Sequence, residues 1–162
     1  MMPDELSKLL LEDEYLVLDI PCQDFSELEK VIGRRAYTYR PAIQQLTIKM
    51  PTQMHGTIAS WAMELIMVGT NAGAFGQGDL SLVAEGELYG FTGEHQDITK
   101  TPDMAIIPEY CFWPTVVFEF GYTEPYDDLK ADVKLLLEGS AGGIIKVILI
   151  KLKPIQQGET NI

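Results

Sequence analysis

Residues 100–153 read KTPDMAIIPEYCFWPTVVFEFGYTEPYDDLKADVKLLLEGSAGGIIKVILIKLK, and the element order in this stretch decides the fold. Met104 to Ile107 is a short apolar run behind Pro102 and Asp103. Pro114 introduces a second, Thr115 to Phe120; proline is tolerated at a strand start because it removes only one ladder donor. Gly121, Tyr122 and Thr123 form a turn, and Pro125 stands near the first helical position, where helices favour it. The following helix runs to about Glu138, with Leu129, Val133, Leu136 and Leu137 as its buried face and Asp128, Lys130, Asp132 and Lys134 on its flanks. Gly139 to Gly143 stops it. Ile144 to Leu152 is an almost unbroken apolar run, the pattern of a central strand buried on both faces.

Upstream, Thr52 to Gly69, TQMHGTIASWAMELIMVG, predicts a long helix capped by Thr52, with Ile58, Trp61, Ala62, Leu65, Ile66 and Val68 as a broad apolar face. Asn71 to Gly78 is Gly-rich without a GxGxxG pattern or a P-loop lysine, so it reads as a turn. Leu80 to Ala84 and Glu87 to Phe91 flank Glu85 and Gly86 as a hairpin or one bent strand, and Thr92 to Thr99 is a polar loop.

At the amino end, Pro3 to Leu11 is a short helix with Asp4 and Glu5 complementing its dipole. Tyr15 to Ile20 is a strand, and Asp24 with Glu27 three residues on opens a helix to about Ile32, which Gly33 ends. Ala36 to Tyr39 and Gln44 to Met50 are short strands around Arg40 and Pro41. The expectation is one α/β domain over 1–162: an N-terminal helix and strand extension over 1–48, a core over 49–153 with a central mixed β-sheet flanked by helices, and a flexible tail over 154–162.

A chain of 162 residues buries about two thirds of its unfolded surface, so it needs neither disulfides nor a structural metal. Cys22 and Cys111 form no CxxC pair and no Cys/His cluster, which removes zinc-finger and disulfide-scaffold classes. The amino terminus lacks a basic n-region, and Glu12, Asp13 and Glu14 interrupt its apolar residues, so no secretory signal is read. With no run of about 20 apolar residues, the protein is expected to be intracellular, cytoplasmic or nuclear, without a membrane partner. The net charge of −12 opposes phosphate-backbone binding, which draws on Lys and Arg. The basic groups Arg34, Arg35, Arg40 and Lys49, and Lys146, Lys151 and Lys153, read as solvated surface.

Strand alternation puts Val117, Glu119 and Gly121 on one side and Phe118 and Phe120 on the other. A carboxylate inside so apolar a strand is costly unless it is paired, hydrogen-bonded or metal-bound. Asp103, at the start of the preceding antiparallel strand, is the group that can reach Glu119. Two such carboxylates suit Mg²⁺ or Mn²⁺, which take oxygen ligands and activate a bound water. His55 at the helix start reads as a cap or packed side chain, and the aromatics Trp61, Tyr110, Phe112 and Trp113 read as core or interface.

Pro102-Asp103, followed by Glu119 in an apolar strand within the order helix, three strands, helix, strand, resembles the PD-(D/E)XK superfamily of restriction-endonuclease-like nucleases. KTPD, PTVVFEFGYTEP and LKADVKLLLEG are similar to a largely fungal group assigned to that superfamily, and the MPTQMHG entry to a bacterial group of endonucleases. The resemblance spans about residues 49–153. It implies a restriction-endonuclease-like αβββαβ core, Asp103 and Glu119 as metal ligands, and Glu64, with His55, as contributors from the first helix. The superfamily lysine falls at Gly121, so the resemblance assigns the amine to Lys134 or Lys130 on the following helix, with Lys100 a further candidate.

The implied activity is metal-dependent phosphodiester hydrolysis, on DNA ahead of RNA. The alternative is a catalytically inactive nuclease-like domain serving as a protein interaction or assembly module. A homodimer is left open by either.

Overall fold

The computed structural model describes residues 1–12, 14–84 and 86–152; the tail expected over 154–162 lies outside them. Among the described residues four α-helices and two sheets make an α/β fold. The chain runs α1 (Pro3–Glu12), β1 (Tyr15–Asp19), α2 (Cys22–Ile32), β2 (Ala36–Arg40), β3 (Gln45–Lys49), α3 (Gln53–Asn71), β4 (Leu80–Ala84), β5 (Thr99–Thr101), β6 (Met104–Pro108), β7 (Val116–Gly121), α4 (Tyr126–Gly139) and β8 (Lys146–Lys151). Among the described residues no helix is long and apolar enough to cross a membrane.

The first sheet, ordered β1-β3-β2-β5, is antiparallel throughout. Alternation explains its two faces. Tyr37, Tyr39, Leu46 and Ile48 pack with Leu6, Leu10, Ile20, Leu28 and Ile32 into a core under α1 and α2, so Thr38, Arg40, Thr47 and Lys49 must point the other way. Lys100 lies opposite Thr38 in the β2–β5 register and shares that second face.

The second sheet, ordered β4-β6-β7-β8, is mixed: β7 and β8 are parallel and the other pairs antiparallel. Phe118 and Phe120 pack with Ile58 and Ala62 of α3 on one face. Val117 packs with Leu135 and Leu136 of α4 on the other. Glu119 and Gly121, in phase with Val117, therefore face α4.

Several elements depart from the sequence reading. Helix α2 starts at Cys22 behind Pro21, so Asp24 sits in its first turn, where its charge complements the dipole. Residues 87–91 form no strand; only Leu88 bridges Lys100, because Gly90 turns the chain at φ 78° and lets Leu88 and Phe91 both reach the α4 core. The last strand is an edge, not a centre: among the described residues β8 pairs with β7 alone. Its two faces are both partly covered, Val147 toward α4 and Ile148 and Ile150 toward α3, which is why its pattern is continuous. On α3 only Ile58 and Ala62 are buried, and Trp61, Leu65 and Val68 are exposed.

Residues 1–48 supply three strands to a sheet completed by β5, a segment from the middle of the chain. A chain starting at Lys49 loses β1, β2 and all but the last residue of β3, which leaves β5 without its partner β2 and Asp132 without Arg40 and Thr38. Such a truncation is expected to show no cooperative urea transition by circular dichroism, whereas the full chain shows a single one.

Candidate functional site: a buried charge cluster

The second face of the first sheet and the α4 side of β7 close on each other, and the cations lie on one wall and the carboxylates on the other. Lys49, at the end of β3, places Nζ 2.5 Å from Glu119 Oε2, 3.0 Å from Glu124 Oε2 and 3.3 Å from Asp103 Oδ2. Lys100 on β5 reaches Glu119 Oε1 at 3.1 Å and Asp132 Oδ2 at 2.6 Å. Arg40 of β2 holds Asp132 Oδ1 at 2.7 Å, with the Thr38 hydroxyl donating at 3.3 Å. Glu119 and Lys100 are 0% exposed, Asp132 2%, Asp103 and Glu124 3%, and Lys49 6%. Charges this deep persist only when paired and hydrogen-bonded.

Asp103 is fixed on three sides. The Phe120 N–H donates to Oδ2 at 2.7 Å, and Lys49 meets the same oxygen. His55 occupies the first turn of α3, where Nδ1 accepts the Thr52 N–H at 2.9 Å; in the neutral ring that leaves the proton on Nε2, which faces Asp103 Oδ1 at 3.2 Å. His55 is thus both the helix cap and the group that orients Asp103.

These contacts set the titration of the cluster. Burial alone would raise Asp103, but Lys49, His55, Lys100 and the Phe120 N–H hold it well below the usual carboxylate range. Asp132 is likewise held down, against burial, by Lys100, Lys49 and Arg40. Burial wins at Glu119, whose pKa is raised despite Lys100 and Lys49, and at Glu124, which burial pushes up to about 7. Burial opposes the Lys49 charge too, yet Glu119, Asp103, Asp132 and Glu124 hold its pKa well above that of a free lysine. Three cations face four carboxylates, so a proton on Glu124 makes the cluster neutral.

The sequence-predicted residues divide sharply. Asp103, Glu119, Lys100 and His55 come together. Glu64 is exposed on the outer side of α3. Lys134 pairs with Glu94 at 3.0 Å and Lys130 with Asp127 at 2.6 Å, and both lysine side chains are 55% exposed. The α4 residue that faces Glu119's partners is Asp132, read from sequence as a flank; the buried set of the helix is Leu129, Asp132, Leu135, Leu136 and Gly139, while Leu137 is exposed. Lys49 and Arg40, read as solvated surface, are the cationic wall. Glu124 went unnoticed. The alternation of β2 and β3 was a usable signal for Arg40 and Lys49 once Leu46 and Ile48 were assigned to a core.

Gly121 lacks a side chain for a packing reason: a Cβ there would run into Leu129 of α4. A lysine at that position requires the Leu129 side chain to move.

The donor set does not fit a magnesium or manganese ion. Such an ion needs carboxylate oxygens and several waters in near-octahedral array. Here Lys49 Nζ occupies the space between Asp103, Glu119 and Glu124, and the Phe120 N–H takes a further lone pair of Asp103. Of the cavities that adjoin the cluster, the one walled by Lys49, His55, Phe120 and Glu124 measures about 20 Å³, room for one water, and one walled by Tyr15, Arg40, Thr47, Glu124 and Asp132 measures about 140 Å³. No protein-family model matches the sequence, and comparison with curated proteins finds no relative.

Two outcomes follow. Lys100→Met leaves Glu119 and Asp132 short of a buried partner, and breaking such a pair costs about 3–5 kcal/mol, to be read as a shift of the urea midpoint. Asp103 and Asp132 contribute stability above their ordinary value of 3.8 that is lost as pH falls below it. Glu124, raised from 4.5 to about 7, acts oppositely: between those values the folded chain keeps a proton that the unfolded chain releases, so its contribution fades as pH rises through 7. Unfolding midpoints should peak near pH 4.5 and decline toward pH 8, and Glu124→Gln should flatten that decline.

Proposed function

We propose that the chain is a restriction-endonuclease-like domain without catalysis, in which the carboxylate pair is a structural charge cluster and the domain serves as a protein interaction or assembly module. The observation that carries this reading is Lys49 Nζ, held within 3.3 Å of Glu119, Glu124 and Asp103, where a metal ion would bridge them. The charge balance supports it: the chain carries 12 Lys and Arg against 24 Asp and Glu, and three of those cations, Arg40, Lys49 and Lys100, are drawn into the cluster and away from phosphates. So does the outer surface. Met54, Trp61, Leu65 and Val68, spaced by seven, four and three residues along α3, are each more than 40% exposed. Contiguous apolar surface of that kind marks protein contacts.

Metal-dependent phosphodiester hydrolysis is a second reading with one observation in its favour: Lys49 sets an amine against Asp103 and Glu119, as the superfamily lysine would from position 121. Incubation with plasmid DNA and with RNA in Mg²⁺ and in Mn²⁺ separates the two. The module reading expects no cleavage beyond that of an Asp103→Asn control and no saturable Mg²⁺ binding below millimolar concentration. Cleavage that Asp103→Asn and Glu119→Gln abolish would overturn it in favour of the nuclease.

A further inference from the structure

Away from the cluster, the C-terminal end of α4 carries a concentration of negative charge. Unpaired carbonyls give a helix C-terminus a partial negative charge that basic residues ordinarily offset, yet the last turn of α4 holds no basic residue and does hold Glu138. Glu94, in a short 3₁₀ turn over Gly93–His95, adds a second carboxylate. Lys134 meets both, at 3.0 Å from Glu94 and 3.7 Å from Glu138. Beneath them His95 Nε2 is buried without a hydrogen-bond partner among the described residues, 3.5 Å from Glu94 Oε1. A buried imidazole nitrogen left without a partner calls for an explanation in a folded chain.

The backbone that carries these groups is held firmly. The Thr92 N–H and hydroxyl both donate to the Gly139 carbonyl, at 2.8 and 3.2 Å. Gly139 lets the two segments approach so closely that a Cβ there would lie 2.9 Å from Phe91 and 3.2 Å from the Cβ of His95. Glu94, His95 and Glu138 are therefore set against one another by main-chain contacts, and one ligand atom from each lies within 4.8 Å of the others. Around a tetrahedral zinc ion with bonds of about 2.1 Å, ligand atoms lie about 3.4 Å apart, a contraction that rotation of the two exposed glutamates supplies.

We infer that Glu94, His95 and Glu138 form a site for one divalent transition-metal ion of the zinc class, pinning the connection before β5 to the end of α4. One imidazole nitrogen with two carboxylate oxygens favours zinc or cobalt over magnesium and calcium, which prefer all-oxygen shells. Lys134 is the resident counter-charge that the ion displaces. The site stands apart from the charge cluster and does not depend on the reading of that cluster.

The test is calorimetric titration with Zn²⁺, and absorption titration with Co²⁺, of a Cys22→Ser/Cys111→Ser background that removes the two exposed thiols. One ion per chain is expected, with a raised melting temperature. His95→Gln and Glu138→Gln should each weaken binding at least about tenfold, and Lys134→Met, which removes the competing ammonium, should tighten it. Glu138→Gln and Lys134→Met change exposed side chains and remain decisive should His95→Gln perturb folding. Absence of saturable binding, binding indifferent to Glu138→Gln and Lys134→Met, or Mg²⁺ binding as tight as Zn²⁺ would each overturn the assignment.

Discussion

The ammonium of Lys49 is the point on which the two halves of the molecule meet. It projects from the sheet built largely by the first 48 residues and is held by carboxylates that all come from the second half, Glu119 of β7 foremost. Burying charge in this way is expensive, and a well-packed apolar contact would serve stability as well or better. What the charge pairs add is a penalty on misplacement: a docking that parted Lys49, Lys100 or Arg40 from these carboxylates would leave a buried charge unpaired. A carboxylate left over on one wall is tolerated because Glu124 can take a proton.

That cluster also explains which parts of the fold could be read from sequence. Long periodic segments were legible: α3, α4, the β6–β7 pair and the turn at Gly33 depend on local pattern and fell close to their observed bounds. Asp103 and Glu119 were legible because a carboxylate in an apolar strand advertises a partner. The partners themselves were not. Lys49 and Arg40 sit in strands whose polar face looks solvent-bound until α4 covers it, and Asp132 looks like a surface residue of an amphipathic helix until Lys100 is placed under it. β5 has three residues, too short for any alternation, yet it carries Lys100 into the cluster and completes the first sheet. Edge against centre, for β8, is likewise a property of strand order, which no local pattern contains.

Gly121 shows the same dependence in a single residue. Its position on β7 lies under Leu129, two residues past Glu119 and on the same face. A side chain at that position has to displace Leu129 from its place against the sheet. With the helix seated this tightly, the acid Asp132 arrives beside Lys100, and both amines near Glu119 come from the opposite sheet.

The pairing of the walls has a consequence for how the chain reaches its native state. The bond between Lys49 and Glu119 spans 70 residues and that between Arg40 and Asp132 spans 92; Lys100 alone of the three cations finds its carboxylates within the second half, 19 and 32 residues on. On a ribosome the first sheet waits, with an unpaired edge at β2, until Thr99–Thr101 emerges, and its lysines wait longer still for α4. Contacts of such sequence separation slow folding and prolong exposure of strand edges. The cationic wall, hydrated and self-repelling in that interval, discourages the open sheet from adding strands of another chain.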